Sequence, residues 1–331
     1  MLRGAIGSIA WKSSQTGPHF QADAGMLLSE IPYANVQTIH KTNKLIREIK
    51  REAHQSLIFP CWDCPWNDLI VITWCDAGQQ NRPDKSSTLG YISGLAPKSI
   101  LEGEEVPVAI INWKSSKTPR QCLGSNGAES QAITEGEDHT FKLRAMWSEM
   151  HGVEFTRSTL YDKVRDGVGG ALVMDTRGIY DAMTRNVSSL HGLRSSRAGY
   201  ELTLAVNQAV KIQTKLRWVN GSAQLGDCLT KPNERKVFLK FLANGQKWSV
   251  VHDEKFIAGR KIRKRELEQA TREMQELFVG AVKTMAQRNQ WPWEDTNESR
   301  SIWDVSLEDP FNIVMPYEPY ETVDSSMSHV T

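Results

Sequence analysis

Apolar and polar positions change their period along this chain, and the changes mark out its parts. Residues 2–11, LRGAIGSIAW, place Leu2, Ala5, Ile6, Ile9 and Ala10 on one helical face, and a second helical segment follows around 20–29 after a polar break at Gly17 and Pro18. A third runs from about Tyr33 to Arg51, with Val36, Ile39, Ile46 and Ile49 inward and Lys41, Lys44, Arg47, Lys50 and Arg51 outward. That basic side reads either as a solvated face or as a nucleic-acid track. From residue 69 the period shortens. Leu69 to Cys75, LIVITWC, is a continuous apolar run ending in Asp76, the pattern of a strand buried on both faces. Thr88–Ser93 and Val106–Trp113 predict two further strands and an antiparallel meander.

Helical spacing then returns. Ala128, Ala132, Gly136, Thr140, Leu143 and Trp147 recur at three- to four-residue steps, whereas Glu135, Glu137, Asp138, Lys142 and Arg144 fall mostly elsewhere. The small residues predict close packing on a sheet, with Ser125 or Asn126 as N-cap and Glu129 in the first turn. Residues 151–169 read as a loop, and Gly170–Met174 is a short apolar strand followed by Asp175. Helices are predicted over 177–183 and 198–210, a fifth strand over 214–219, and a last helix from Gly226-Asp227 to about Leu242. The order is βββαβαβα. Right-handed crossovers turn it into an α/β fold, a five-stranded mixed sheet with helices on both faces and the first strand beside the fourth. The expected organisation is a helical segment over 1–60, the α/β domain over 68–245, and a long amphipathic helix over 253–290 that serves as packing element or nucleic-acid arm. An acidic tail over 291–331 is expected to be disordered.

Composition changes this picture in three places. No apolar run approaches the roughly 18 residues that a membrane span requires. Five cysteines, without framework spacing, point to a reducing compartment. Cys61 and Cys64 are either a redox or zinc half-motif or two ordinary thiols. The net charge of +1 conceals an acidic end, because residues 294–331 hold nine Asp and Glu against Arg300 alone. The chain before them is therefore basic, which is compatible with a polyanionic partner.

Four carboxylates stand at equivalent places: Asp76 and Asp175 after strands, Glu129 in the following helix, and Asp227 opening the last one. With the first and fourth strands adjacent, they converge. Separate duties as caps and dipole partners would explain each alone. Together they would raise one another's pKa unless cations compensate them, and an all-oxygen set suits two Mg²⁺ or Mn²⁺ ions of the kind used in phosphodiester hydrolysis.

Local motifs add a resemblance. Cys75-Asp76-Ala77-Gly78, Ser87-Thr88-Leu89-Gly90-Tyr91, Trp113-Lys114-Ser115-Ser116-Lys117, Ala128-Glu129-Ser130-Gln131-Ala132, Met174-Asp175-Thr176-Arg177 and Asp227-Cys228-Leu229-Thr230-Lys231-Pro232 occur in this order. The chain thus resembles, over about residues 1–242, the end of the Pol polyprotein of Copia-type LTR retrotransposons, where the last part of reverse transcriptase precedes ribonuclease H. It departs from the family at Ser196–Glu201 and at Thr176-Arg177-Gly178, and it contains no Y-V-D-D polymerase motif. The resemblance implies a ribonuclease H-like fold that hydrolyses the RNA strand of RNA/DNA hybrids, with Asp76, Glu129, Asp175 and Asp227 as catalytic metal ligands. It implies the reverse transcriptase of the same polyprotein as a partner, and a place in the cytoplasm, in retrotransposon particles, or in the nucleus. Lys231, Arg235, Arg177 and the loop residue His191 are the candidates for contact with nucleic acid. The alternative is a catalytically silent remnant that binds nucleic acid or protein through its basic helices.

Overall fold

The computed structural model describes residues 1–184, 196–251, 269 and 271–274. Met1–Phe256 forms one compact unit and Ile257–Thr331 another. Most of the predicted 253–290 helix and all of the 291–331 tail lie outside the described residues; Gln269 and Thr271 to Met274 are helical.

The apolar run forms β1, Leu69–Gly78, and is buried along its whole length. It pairs antiparallel with β2, Thr88–Pro97, up to Gly78↔Thr88, and parallel with β5, Gly169–Met174, only as far as Trp74↔Val173. Asp76 therefore lies within the strand rather than ending it, at the point where its parallel partner stops. The segment expected as one third strand is two. Val106–Pro107 (β3) pairs with the short β7, Lys247–Trp248, and the main sheet resumes with β4, Ala109–Lys117. Pro107 has no N–H to give to a central ladder, which is a physical reason for the division. With β6, Lys215–Trp218, the order is β4-β2-β1-β5-β6. This is a five-stranded mixed α/β sheet, as expected.

Strand alternation supplies the two faces. Ile70, Ile72 and Trp74 join a core with Leu229, Phe238 and Phe241, from α8 (Asp227–Thr230) and α9 (Lys236–Ala243). Cys75, Leu172 and Met174 join another with Ile133 of α4 (Ser125–Met150), Ile179 of α6 (Arg177–Thr184) and Leu202 of α7 (Ser196–Lys211). The long helix α4 lies close to the sheet because Gly136 has no side chain: a Cβ there would stand 2.2 Å from the Cys75 sulfur. The region expected as a loop before β5 contains a further helix, α5, Leu160–Asp166.

Arg144, expected outside the buried stripe, is only 1% exposed. Its guanidinium donates to the carbonyls of Val164, Val168 and Ile212 and to the Thr214 hydroxyl, at 2.7 to 2.9 Å. The stripe runs Gly136, Thr140, Arg144, Ser148, in strict fours, and a charge is admitted because backbone carbonyls meet every donor direction it uses.

The N-terminal helices α1 (Leu2–Gln15), α2 (Gln21–Glu30) and α3 (Val36–Arg51) share a core of Ile6, Ile9, Phe20, Ala24, Leu27 and Leu45. Asn35 and Thr38 cap α3 reciprocally. The helices are tied to the sheet: the Trp113 indole donates to the Ser13 carbonyl at 2.9 Å, and Arg82 bonds both Ser29 and Thr88 at 3.0 Å. Much of the basic face of α3 is internally compensated, with Lys41 on Glu30 at 2.6 Å, Lys44 near Glu48 at 3.8 Å and Arg51 near Glu52 at 3.5 Å.

Candidate metal centre

Strand register builds the site. Trp74 pairs with Val173, so two residues further on Asp76 and Asp175 stand side by side beyond the last bonded pair. From α4, Glu129 reaches the same place, and carboxylate oxygens of Asp76, Glu129 and Asp175 all lie within 4.8 Å of one another. Glu129 stands in the second helical turn, not the first, because α4 begins at Ser125 with Gly124 as N-cap and no side-chain cap. Neither Ser125 nor Asn126 plays that part. Gln131 instead holds the approach loop, accepting from the Arg120 N–H at 3.1 Å.

Each carboxylate is set by its surroundings. Asp76 is 1% exposed; burial, with Asp227 and Asp175 nearby, pushes its carboxyl up to about 7, against the opposing pull of the Lys231 ammonium and the Thr230 hydroxyl. Glu129 is raised well above the usual carboxylate range, first by burial and then by Asp76 and Asp175. Burial also raises Asp175, with Lys231 opposing it. One oxygen of Glu129, Oε2, is buried and has no hydrogen-bond partner.

Asp227 is not part of the three-carboxylate group. Its Oδ1 takes the Lys231 ammonium at 2.5 Å, and the same nitrogen lies 3.3 Å from Asp76 Oδ1. The helix expected to run unbroken to Leu242 is interrupted here: α8 stops at Thr230, and Lys231 leaves the helical region because Pro232 follows. Three supports escaped the sequence reading. The Thr230 hydroxyl donates to Asp76 Oδ2. The Gln224 amide donates to the Cys75 carbonyl at 2.8 Å, and the Trp218 indole to the Asp175 carbonyl at 2.7 Å. Thr230 had a signal, since it lies one turn after Asp227 on a helix pressed against the sheet. At Gly90 of β2 a Cβ would meet Thr230 Cγ2 at 2.8 Å.

The other candidates are placed unequally. Arg235 is turned away from the cluster and nearly buried; its guanidinium binds Asp23 at 2.8 Å and Glu48 at 2.9 Å and covers the Phe20 ring. It joins the contact with α2 and α3, where three of its N–H groups meet these two carboxylates. Arg177 pairs with Asp181 at 2.9 Å and lies over the Trp218 and Tyr180 rings. His191 lies outside the described residues. Cys61 and Cys64 are free thiols, as are Cys75, Cys122 and Cys228. No described helix is long and apolar enough to cross a membrane.

The donor set fits a hard divalent cation. Three carboxylates converge, burial opposes their charge, and one buried oxygen is left without a partner, all of which a cation bound by oxygen would correct.

No family model matches the chain, and no curated protein does. Among solved structures it is similar to LC11-RNase H1 in complex with an RNA/DNA hybrid, at 12% identity over 51% of this chain and 99% of that one, with a TM-score of 0.31. It is also similar to a foamy viral protease-reverse transcriptase in complex with an RNA/DNA hybrid, at 9% identity over 61% of this chain and 27% of that one, TM-score 0.30. The native prototype foamy virus protease-reverse transcriptase is similar at 10% identity, over 56% of this chain and 22% of that one, TM-score 0.30.

Proposed function

We propose that the chain is a metal-dependent nuclease of the ribonuclease H type, cutting the RNA strand of an RNA/DNA hybrid to leave a 3′-hydroxyl and a 5′-phosphate. The observation that carries this reading is the convergence of Asp76, Glu129 and Asp175 within 4.8 Å, with the buried Glu129 Oε2 unpartnered. Asp76, Glu129 and Asp175 would hold one Mg²⁺ or Mn²⁺, and Asp76 with Asp227 a second. Bound there, the ions supply activation of the attacking water and stabilisation of the leaving oxygen.

The protein's own part is to hold the donors still. Thr230 sets one Asp76 oxygen, and Trp218 and Gln224 anchor the carbonyls at the strand ends. Lys231 keeps a positive charge beside them, where a phosphate would otherwise meet unrelieved carboxylates. Choice of the hybrid would rest on groove shape and 2′-hydroxyl contacts without base readout. The preference for the hybrid, and a Copia-type element with its own reverse transcriptase as source and partner, follow from the motif resemblance.

The test is cleavage of an end-labelled RNA/DNA hybrid with Mg²⁺, with Mn²⁺ and with EDTA. Cutting of the RNA strand alone, dependent on metal and lost in Asp175→Asn, is the expected result. A folded protein that cuts nothing with either ion would sink the assignment.

A further inference from the structure

The two halves of this cluster differ in what already fills them. Between Asp76, Glu129 and Asp175 no cation of the described residues is in contact, and the 94% buried Glu129 keeps one oxygen without a partner. Between Asp76 and Asp227 the place is taken: the Lys231 ammonium lies 2.5 Å from Asp227 Oδ1 and 3.3 Å from Asp76 Oδ1. Asp76 stands in both halves, and on the side of α8 its Oδ1 lies toward Lys231 while its Oδ2 accepts from Thr230.

Resting on the metal reading proposed above, we infer that Lys231 is the resident counter-ion of the second cation position. The two ions are therefore bound in order, the first without displacing any protein group and the second only as the ammonium gives way. The physical reason is competition. An ammonium and a divalent ion cannot share one carboxylate oxygen at contact distance, because like charges that close repel strongly. Toward Glu129 and Asp175 the ammonium acts only at longer range, while burial and mutual repulsion of the carboxylates favour the first ion. Lys231 is free to yield. Its side chain is 39% exposed on a four-carbon stem, and it follows the last residue of α8 instead of lying within a helix. A displaced ammonium remains beside the site, where the phosphate of a bound strand would receive it. The position is thereby filled by Lys231 before the second ion arrives and by that ion once a substrate takes the lysine. Lys231 is a positioning residue for metal, not a ligand.

The test needs no turnover. Mn²⁺ binding to the full chain, measured by calorimetry and by electron paramagnetic resonance of the free ion, is compared among the wild type, Lys231→Met and Asp227→Asn. In the wild type the first Mn²⁺ is expected to bind about tenfold or more tighter than the second. Lys231→Met should tighten the second by a similar factor while moving the first less than about threefold, and Asp227→Asn should remove the second alone. Two equal sites in the wild type, or a second site that is unmoved or weakened in Lys231→Met, would overturn the ordering and leave the nuclease reading standing. Absence of any Mn²⁺ binding by the folded wild type would overturn both. Should Lys231→Met fail to fold, the wild-type inequality and its collapse to one site in Asp227→Asn decide the matter.

Discussion

Lys231 and Arg235 are four positions apart, and the two cations stand in opposite kinds of cluster. Arg235 has two carboxylates, Asp23 and Glu48, each within 2.9 Å, with the Phe20 ring beneath it. Lys44 lies 3.8 Å from Glu48, so the two acids there meet two cations. Lys231 faces Asp76 and Asp227 directly, with Asp175 and Glu129 just beyond, and cannot satisfy them. A closed ion network leaves nothing for a ligand to improve and serves as a fastening. An open one, short of positive charge and holding a buried oxygen without a partner, is a place prepared for something that arrives. Salt bridges in one short stretch thus divide into structure and function by whether their charges balance.

Substitutions can break that contrast, beginning with the largest effect. Asp76→Asn or Asp175→Asn should lower hybrid cleavage at least a thousandfold, the equivalent of the several kcal/mol of charge stabilisation that a bound metal gives. Circular dichroism should show the fold intact, and substantial residual cleavage in either purified variant would remove that residue from the site. Arg235→Met should do the reverse. It strands Asp23 and Glu48 in a part-buried contact and should cost about 3 to 5 kcal/mol in denaturant unfolding, a loss that Mn²⁺ does not restore selectively. An Arg235 variant of unchanged stability whose hybrid binding is weakened would return that residue to the substrate side.

Metal itself sharpens the comparison at a smaller scale. An ion at about a hundred times its Kd should stabilise the wild type by about 2.7 kcal/mol, and a Glu129→Gln variant by much less. Equal shifts in both proteins would place the ion elsewhere. The smallest effect expected is on pH. The Asp76 carboxyl, ordinarily near 3.8, is held at about 7 in the metal-free fold, so the native state keeps its proton where the unfolded chain has released it. Stability from this group is full below pH 3.8 and is lost as pH rises toward and through 7. Denaturation midpoints in EDTA should therefore drift down between pH 5 and pH 7.5, on the order of a few degrees. Asp76→Asn should flatten that drift, and a wild-type midpoint that rises over the range would contradict the charge assignment.

The strands, their order and the three converging carboxylates were legible because each rests on a local pattern: apolar runs of strand length, acidic residues at their ends, and small residues in fours. What local pattern does not show depends on distant partners. Arg144 continues the stripe through Gly136 and Thr140, yet its charge argued for solvent until carbonyls at Val164, Val168 and Ile212 were in place to receive it. Arg235 lies a turn from the site in sequence, but its carboxylates are 212 and 187 residues away. Lys231 was read toward phosphate because nothing local shows that Asp76, 155 residues earlier, would share its ammonium. Period assigns a face to a side chain; it does not say what waits there.

The Arg235 clasp also has a temporal meaning. During synthesis α1, α2 and α3 leave the ribosome roughly two hundred residues before the Arg235 that binds Asp23 and Glu48. Their shared core of Ile6, Phe20 and Leu27 can gather early, since those contacts are short-range, but the ion pairs with Arg235 must wait for one of the later segments of the unit to be made. These helices are therefore made well before they are secured, and until then Asp23 lacks its guanidinium partner beside an unfinished apolar seam.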